Sequence, residues 1–69
     1  MLIDVRTAKE YARGHMTGSI NIPVAQIRQV SAPKDTHIRV YCKSGARSAD
    51  AARILKSMGY TSVTDLGGL

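Results

Sequence analysis

The chain has 69 residues, with ten Lys and Arg against five Asp and Glu for a formal charge of +5, one cysteine, two histidines, three tyrosines and neither Phe nor Trp. That length allows one domain with a thin aliphatic core, burying only about 60% of the unfolded surface; it excludes an internal disulfide and, with Cys42, His15 and His37 far apart, a zinc site. No apolar run approaches the ~20 residues of a membrane span, no signal-peptide pattern occurs, and the basic residues are scattered, which argues against a nucleic-acid partner and leaves either steering of a small anion or a generally solvated basic surface.

Leu2-Ile3-Asp4-Val5 is a short apolar run that suits a strand, with Asp4 as its odd member. Thr7-Ala8-Lys9-Glu10 has the form of a capping box, in which Thr7 caps a helix and Glu10 reaches back to it. That helix is short: Tyr11 and Ala12 are its apolar content and Gly14 closes it. Ser19-Ile20-Asn21-Ile22 alternates and stops at Pro23, as a second strand would. Val24, Ile27 and Val30 keep helical spacing, and the polar stretch from Ser31 to Asp35 ends the element. Ile38 to Tyr41 is a third strand that delivers Cys42. From Ser48 to Met58 good helix formers dominate, with Ala51, Leu55 and Met58 as an apolar stripe, Ala52 and Ile54 beside it, and Gly59 closing it. Ser62 to Leu66 reads as a last strand, followed by Gly67-Gly68. Alternating strands and helices with short connections predict an α/β fold with a small parallel sheet of about four strands and helices on both faces. Both ends read as trimmed.

The chemistry centres on Cys42. A strand ends at a thiol, a glycine-bearing turn (Lys43-Ser44-Gly45) follows, and Ala46-Arg47-Ser48 opens a helix. A free thiol has a pKa of about 8.5, so a nucleophilic thiolate at neutral pH needs positive potential at the sulfur. The helix N-terminus supplies unpaired N–H groups, a curled loop can aim more of them inward, and Lys43 and Arg47 add two cations. The expected product is a low-pKa, partly exposed nucleophile at the C-terminal end of a strand, where α/β sheets place their sites. A buried inert thiol is the alternative, but it needs neither the cations nor the glycine.

The runs Leu2-Ile3-Asp4-Val5-Arg6, Glu10-Tyr11, Gly14-His15-Met16, Gly18-Ser19-Ile20-Asn21-Ile22-Pro23, Tyr41-Cys42-Lys43-Ser44-Gly45-Ala46-Arg47-Ser48, Gly59-Tyr60 and Leu66-Gly67-Gly68 resemble, in order and spacing, a single-domain rhodanese. The chain is most similar to the small phage-shock type of the bacterial periplasm. The resemblance implies a three-layer α/β/α rhodanese-like domain over residues 1–69, without the extra first strand and the Trp-containing last helix of larger members. It implies a periplasmic location for a mature form lacking its signal peptide, and a cytoplasmic one for the sequence as it stands. It implies a monomeric thiosulfate sulfurtransferase that needs no cofactor and no metal. Cys42 would take sulfane sulfur from thiosulfate, become a persulfide, and pass the sulfur to cyanide or another thiol acceptor. Backbone N–H groups of Lys43, Ser44, Gly45, Ala46, Arg47 and Ser48 would hold the sulfur anion, and Lys43 and Arg47 would attract thiosulfate and stabilise departing sulfite. The rival is a persulfide carrier or regulatory sulfur-relay module fed by a protein partner. Cell-cycle-type dual-specificity phosphatases and the arsenate reductases on that fold are similar too, but they separate Cys and Arg by five residues. Four separate Cys42 from Arg47, and no acid lies in the loop.

Asp4 and Arg6 fall at the C-terminal end of the first strand, on the edge that carries the loop. Asp4 either orients the loop N–H groups or Arg47, or anchors the next turn; the second reading is preferred. Arg6 is expected to pair with Glu10 near the helix start. His15 is expected to pack and hydrogen-bond rather than act as a base, His37 to be exposed, and Tyr41 and Tyr60 to be core aromatics.

Overall fold

A computed structural model describes residues 1–69. The elements in chain order are β1 (Leu2–Asp4), α1 (Ala8–Ala12), β2 (Ile20–Asn21), a 3-10 helix (Val24–Gln29), β3 (Ile38–Cys42), α2 (Ala46–Ser57) and β4 (Val63–Gly68). The strands form one sheet in the order β2-β1-β3-β4, and every pairing is parallel. The α/β architecture expected from the alternation is present.

Apart from single-residue shifts at the ends of β1, β3, α2 and β4, the elements differ from expectation in four ways. The segment from Val24 onward is a 3-10 helix. Pro23 offers no side-chain cap there, whereas the five-residue α1 has the Thr7–Glu10 capping box to hold its first turn, and an uncapped short segment settles into the tighter 3-10 form. Strand β2 is only two residues long; Pro23, with its fixed φ, leads the chain straight into the 3-10 helix. Helix α2 starts two residues earlier than Ser48, since Gly45, at φ +97°, completes the turn in a left-handed conformation that a side chain would disfavour. Finally, β4 runs through Gly67 and Gly68 instead of stopping at Leu66. A register shift at Val40/Tyr41 lets Tyr41 pair with Gly67 and Cys42 with Gly68. A Cβ at Gly68 would collide with the Lys43 carbonyl, so glycine is what lets β4 pass this close beneath the loop.

The core lies on one side of the sheet. Ile3 and Val5 from the β1 segment and Ile38, Val40 and Cys42 from β3 pack with Ala51, Ala52 and Leu55 of α2 and with Ile27, Val30 and Tyr60. Strand alternation sends Asp4 and Tyr41, which are register partners, to the other side. There α1 buries none of its residues, and the layer closes through hydrogen bonds. Tyr41 Oη accepts from the Met16 N–H at 3.0 Å and meets Ser19 Oγ at 3.1 Å, while Tyr11 Oη donates to the Ser19 carbonyl at 2.5 Å. Tyr60 is equally committed on the core side, donating to the Val30 carbonyl at 3.0 Å. Both tyrosines are core aromatics.

Candidate active site

Cys42 closes β3 on the apolar side, in step with Ile38 and Val40. It is fully buried, not partly exposed as expected. The turn after it folds back over the sulfur: the Gly45 N–H donates to Sγ at 2.9 Å. Below, Ser48 Oγ accepts from the Sγ thiol at 3.5 Å and donates to the Gly45 carbonyl at 3.1 Å; when the thiol ionises, the hydroxyl proton turns from the carbonyl to the sulfur. Ser48 points there because it shares one buried stripe of α2 with Ala51, Ala52 and Leu55. The far side of the loop is held by β4 and by Leu69 just after it, whose N–H bonds the Cys42 carbonyl at 3.0 Å.

Burial pushes the Cys42 thiol up, but the Ser48 hydroxyl and the N–H groups of Ser48, Gly45 and Arg47 together outweigh it, so the pKa falls below the usual thiol range. Lys43, Ser44 and Ala46 are exposed and make no bond to the sulfur. The contributing donors sit at and just after the left-handed residue, where the chain turns into α2.

Arg47 does not face the sulfur with a free charge. Its guanidinium is bidentate on Glu10, Nη1 to Oε1 at 2.6 Å and Nη2 to Oε2 at 3.0 Å. Glu10 Oε1 also accepts from the Thr7 N–H at 3.2 Å and Thr7 Oγ1 at 3.1 Å, completing the capping box. Arg47, then Thr7, pull the Glu10 carboxyl down to about 2. The expected Arg6–Glu10 pair does not form. Arg6 pairs with Asp4, Nη2 to Oδ2 at 2.6 Å, and its own N–H donates to Asp4 Oδ1 at 2.9 Å. Residues two apart at a strand end share a face, which puts Arg6 over Asp4. Burial pushes the Asp4 carboxyl up, and the Arg6 bonds bring it below its ordinary value. No bond from Asp4 reaches the loop or Arg47, so its bonds are those of an anchor for the turn after β1.

Beside the loop a cavity of about 320 Å³ is lined by Arg6, Glu10, Arg13, Gly14, Lys43 and Leu69. Lys43 joins this cavity to the cysteine, although Cys42 does not line it. Arg6, Lys43 and Arg47 are thus brought to one end of the sheet. Glu10, Arg13 and Gly14 join them unforeseen. The capping box pointed to Glu10 as a fixed carboxylate, but nothing local names Arg47 as its partner 37 residues away. His15 is stacked on Tyr11, ring centroids 3.7 Å apart, with Nδ1 2.9 Å from the Tyr11 carbonyl. His37 is exposed, with Nε2 3.1 Å from Thr64 Oγ1. No group of three His, Cys, Asp or Glu side chains converges on a metal-sized site, and no helix is long and apolar enough to cross a membrane.

Known proteins resemble this chain in sequence and in fold. The chain is 41% identical over 97% of its length to the thiosulfate sulfurtransferase PspE of Escherichia coli, spanning 68% of that protein, and 39% identical over 99% of its length to a sulfurtransferase of Allochromatium vinosum, spanning 65% of it. It therefore covers about two thirds of the length of these relatives. It is 31% identical to the human thiosulfate:glutathione sulfurtransferase over 97% of the chain and 72% of that protein. Among solved structures, a rhodanese with anions from E. coli superposes with a TM-score of 0.92 at 39% identity, covering 99% of this chain and 85% of that one. Residues 1–69 match the Rhodanese-like domain family throughout, and with the loop geometry and these relatives the chain belongs to the rhodanese family.

Proposed function

We propose that the chain is a thiosulfate sulfurtransferase that works through a persulfide on Cys42. The observation that carries this reading is the cradle around Sγ: a buried sulfur receiving the Gly45 N–H at 2.9 Å, with the Ser48 hydroxyl at 3.5 Å and a lowered pKa. The thiolate attacks the sulfane sulfur of thiosulfate. A bond forms between Sγ and that sulfur, the original S–S bond breaks, and its electron pair leaves with sulfite. The N–H groups that hold the thiolate also hold the persulfide anion, whose charge lies one atom further out. Sulfur then passes to cyanide or a thiol, and the cycle is ping-pong. Lys43 is the loop cation open to the incoming dianion. Arg47, committed to Glu10, braces the loop against α1. The donor reaches the covered sulfur by displacing the exposed Lys43-Ser44 segment.

The test is intact mass after thiosulfate treatment. The protein gains about one sulfur atom (~32 Da), and cyanide removes it as thiocyanate. Cys42→Ser gains nothing and turns over nothing; full activity in that variant would overturn the reading. A second reading, a relay module loaded by a protein partner, is supported by a Bacillus subtilis relative named for sulfur carriage, 33% identical over 94% of this chain. Loading by a cysteine desulfurase but not by thiosulfate would select it.

A further inference from the structure

Helix α2 opens without a cap of its own. Gly45 at its N-cap offers no side chain, so the N–H groups of Arg47 and Ser48 in the first turn have neither an intrahelical acceptor nor a local brace. Burial opposes the Cys42 thiolate, and these N–H groups, with the Ser48 hydroxyl and the Gly45 N–H, outweigh it. The first turn is braced instead from α1, through the Arg47 side chain. Helix α1 is the reverse case. It buries none of its five residues, yet its start carries a complete capping box. Thr7 Oγ1 accepts the Glu10 N–H at 3.2 Å, while its hydroxyl and its main-chain N–H both donate to Glu10 Oε1, at 3.1 and 3.2 Å. The Glu10 carboxylate is therefore held independently of Arg47. Two long side chains in a part-exposed pair ordinarily lose most of their Coulomb gain to the entropy of holding still. Here one partner is already fixed, and Arg47 docks on it bidentately at 2.6 and 3.0 Å. One cap thus serves two helix starts.

We infer that Thr7 is a positioning residue for the Cys42 thiolate, acting through the Glu10 carboxylate and the Arg47 guanidinium on the first turn of α2. The inference deepens the reading of Cys42 as the nucleophile. Thr7 touches neither the sulfur nor the loop; its hydroxyl holds the carboxylate that holds Arg47, and the main-chain N–H of Arg47 is one of those that favour the thiolate. Thr7 is also the member of the relay that can be tested cleanly. Arg6, Arg13 and Lys43 share a cavity with Glu10, and Arg47 faces it from α2, so removing the Glu10 charge disturbs the field of four cations. Thr7 carries no charge and is exposed. Its hydroxyl can be removed without altering either the field at the loop or the apolar core.

The experiment is the pH dependence of Cys42 alkylation by iodoacetamide in the whole chain. Thr7→Val keeps the branched shape and the main-chain N–H but loses the hydroxyl, and its midpoint rises by about half a unit, the share of one loosened donor among several. Thr7→Ser restores the hydroxyl and the wild-type midpoint. Tyr60→Phe loses hydroxyl bonds to Val30 and Ala32 on the core side; it lowers the melting temperature and leaves the midpoint in place. In a Glu10→Ala background, Thr7→Val adds no further shift. An unmoved midpoint in Thr7→Val, a midpoint that simply follows melting temperature across the variants, or a full extra shift in the Glu10→Ala background overturns the inference. Thiosulfate loading is the second arm. Below the midpoint Thr7→Val loads about threefold more slowly, the half unit expressed as thiolate fraction, and the deficit closes at high pH, where Cys42 is ionised in every variant. Alkylation needs no sulfur donor, so the two ideas fail separately. A protein that alkylates as described but takes no sulfur from thiosulfate loses the donor assignment and keeps the role of Thr7. A protein that loads while Thr7→Val alkylates like wild type loses the role of Thr7 and keeps the sulfur reading.

Discussion

On one side of the sheet Ile3, Val5, Ile38, Val40 and Cys42 meet Ala51, Ala52 and Leu55 of α2, and the contact is dry. On the other side Asp4 and Tyr41 meet Arg6, Met16 and Ser19, and the contact is a set of hydrogen bonds and one partly buried ion pair. The same strands thus stand on two kinds of physics: area removed from water on one face, directional bonds on the other. The active loop joins them through two consecutive residues. Ser48 belongs to the dry stripe of α2 and reaches the sulfur, while Arg47 reaches Glu10 on α1. The apolar face aims Cys42, and the polar face supplies the fixed charges around the loop.

The comparison is broken most forcefully on the dry side. Leu55 is fully buried at the centre of the α2 contact, and Leu55→Ala should cost about 2–5 kcal/mol through lost transfer energy and the cavity left behind. Urea unfolding measures it. On the polar side, Tyr41→Phe keeps the ring but leaves the Met16 N–H and Ser19 Oγ without the Tyr41 hydroxyl. The expected cost is about 1–3 kcal/mol, that of stranding buried polar groups. If Tyr41→Phe proves neutral, that layer is held by something other than its hydrogen bonds, and the contrast between the faces collapses.

The two faces were also unequally legible in the sequence. Alternation along Ile38–Cys42 and the helical stripe through Ala51 and Leu55 are local periodicities, so β3, α2 and the apolar core could be read directly. The capping box at Thr7 and Glu10 was readable for the same reason. What escaped was pairing at long range. Glu10 could have been satisfied by Arg6 or Arg47, and only the fold brings Arg47 within 2.6 Å of it. The burial of Cys42 escaped because it depends on β4 passing beneath the loop, a close approach set by Gly68. The alternation that made Val40 a core residue placed Cys42 on the same face, and Ser48 falls three residues before Ala51 on the helical stripe. These two positions were the available signals for a covered sulfur.

Ser48→Ala sharpens the comparison from inside the dry face, where Ser48 and Cys42 are the polar intrusion. The substitution removes the hydroxyl that favours the thiolate, so the midpoint of alkylation rate against pH should move up toward the ordinary thiol value. Stability should fall by only about 1 kcal/mol, the net worth of one hydrogen bond. An unmoved midpoint would assign the thiolate to the backbone N–H groups alone.

The smallest effect on stability is expected at Glu10, and it carries the clearest pH signature. The folded-state carboxyl sits at about 2, below its ordinary 4.5. A carboxyl depressed on folding contributes stability that is fully present above about 4.5 and is lost as pH falls from there toward 2. Asp4, also lowered by its Arg6 bonds, acts in the same direction. Wild-type melting temperature should therefore decline through this window, and Glu10→Gln should decline less steeply there, its remaining slope belonging to Asp4 and any other carboxyl that folding lowers. Because the Glu10–Arg47 pair is about a third exposed, added salt should narrow the gap between the two proteins near neutral pH. Leu55→Ala should instead lower the whole curve without changing its acid slope. Identical acid slopes for wild type and Glu10→Gln would mean that the bridge between α1 and the loop contributes nothing to the folded state, and that the loop is held by the dry face and β4 alone.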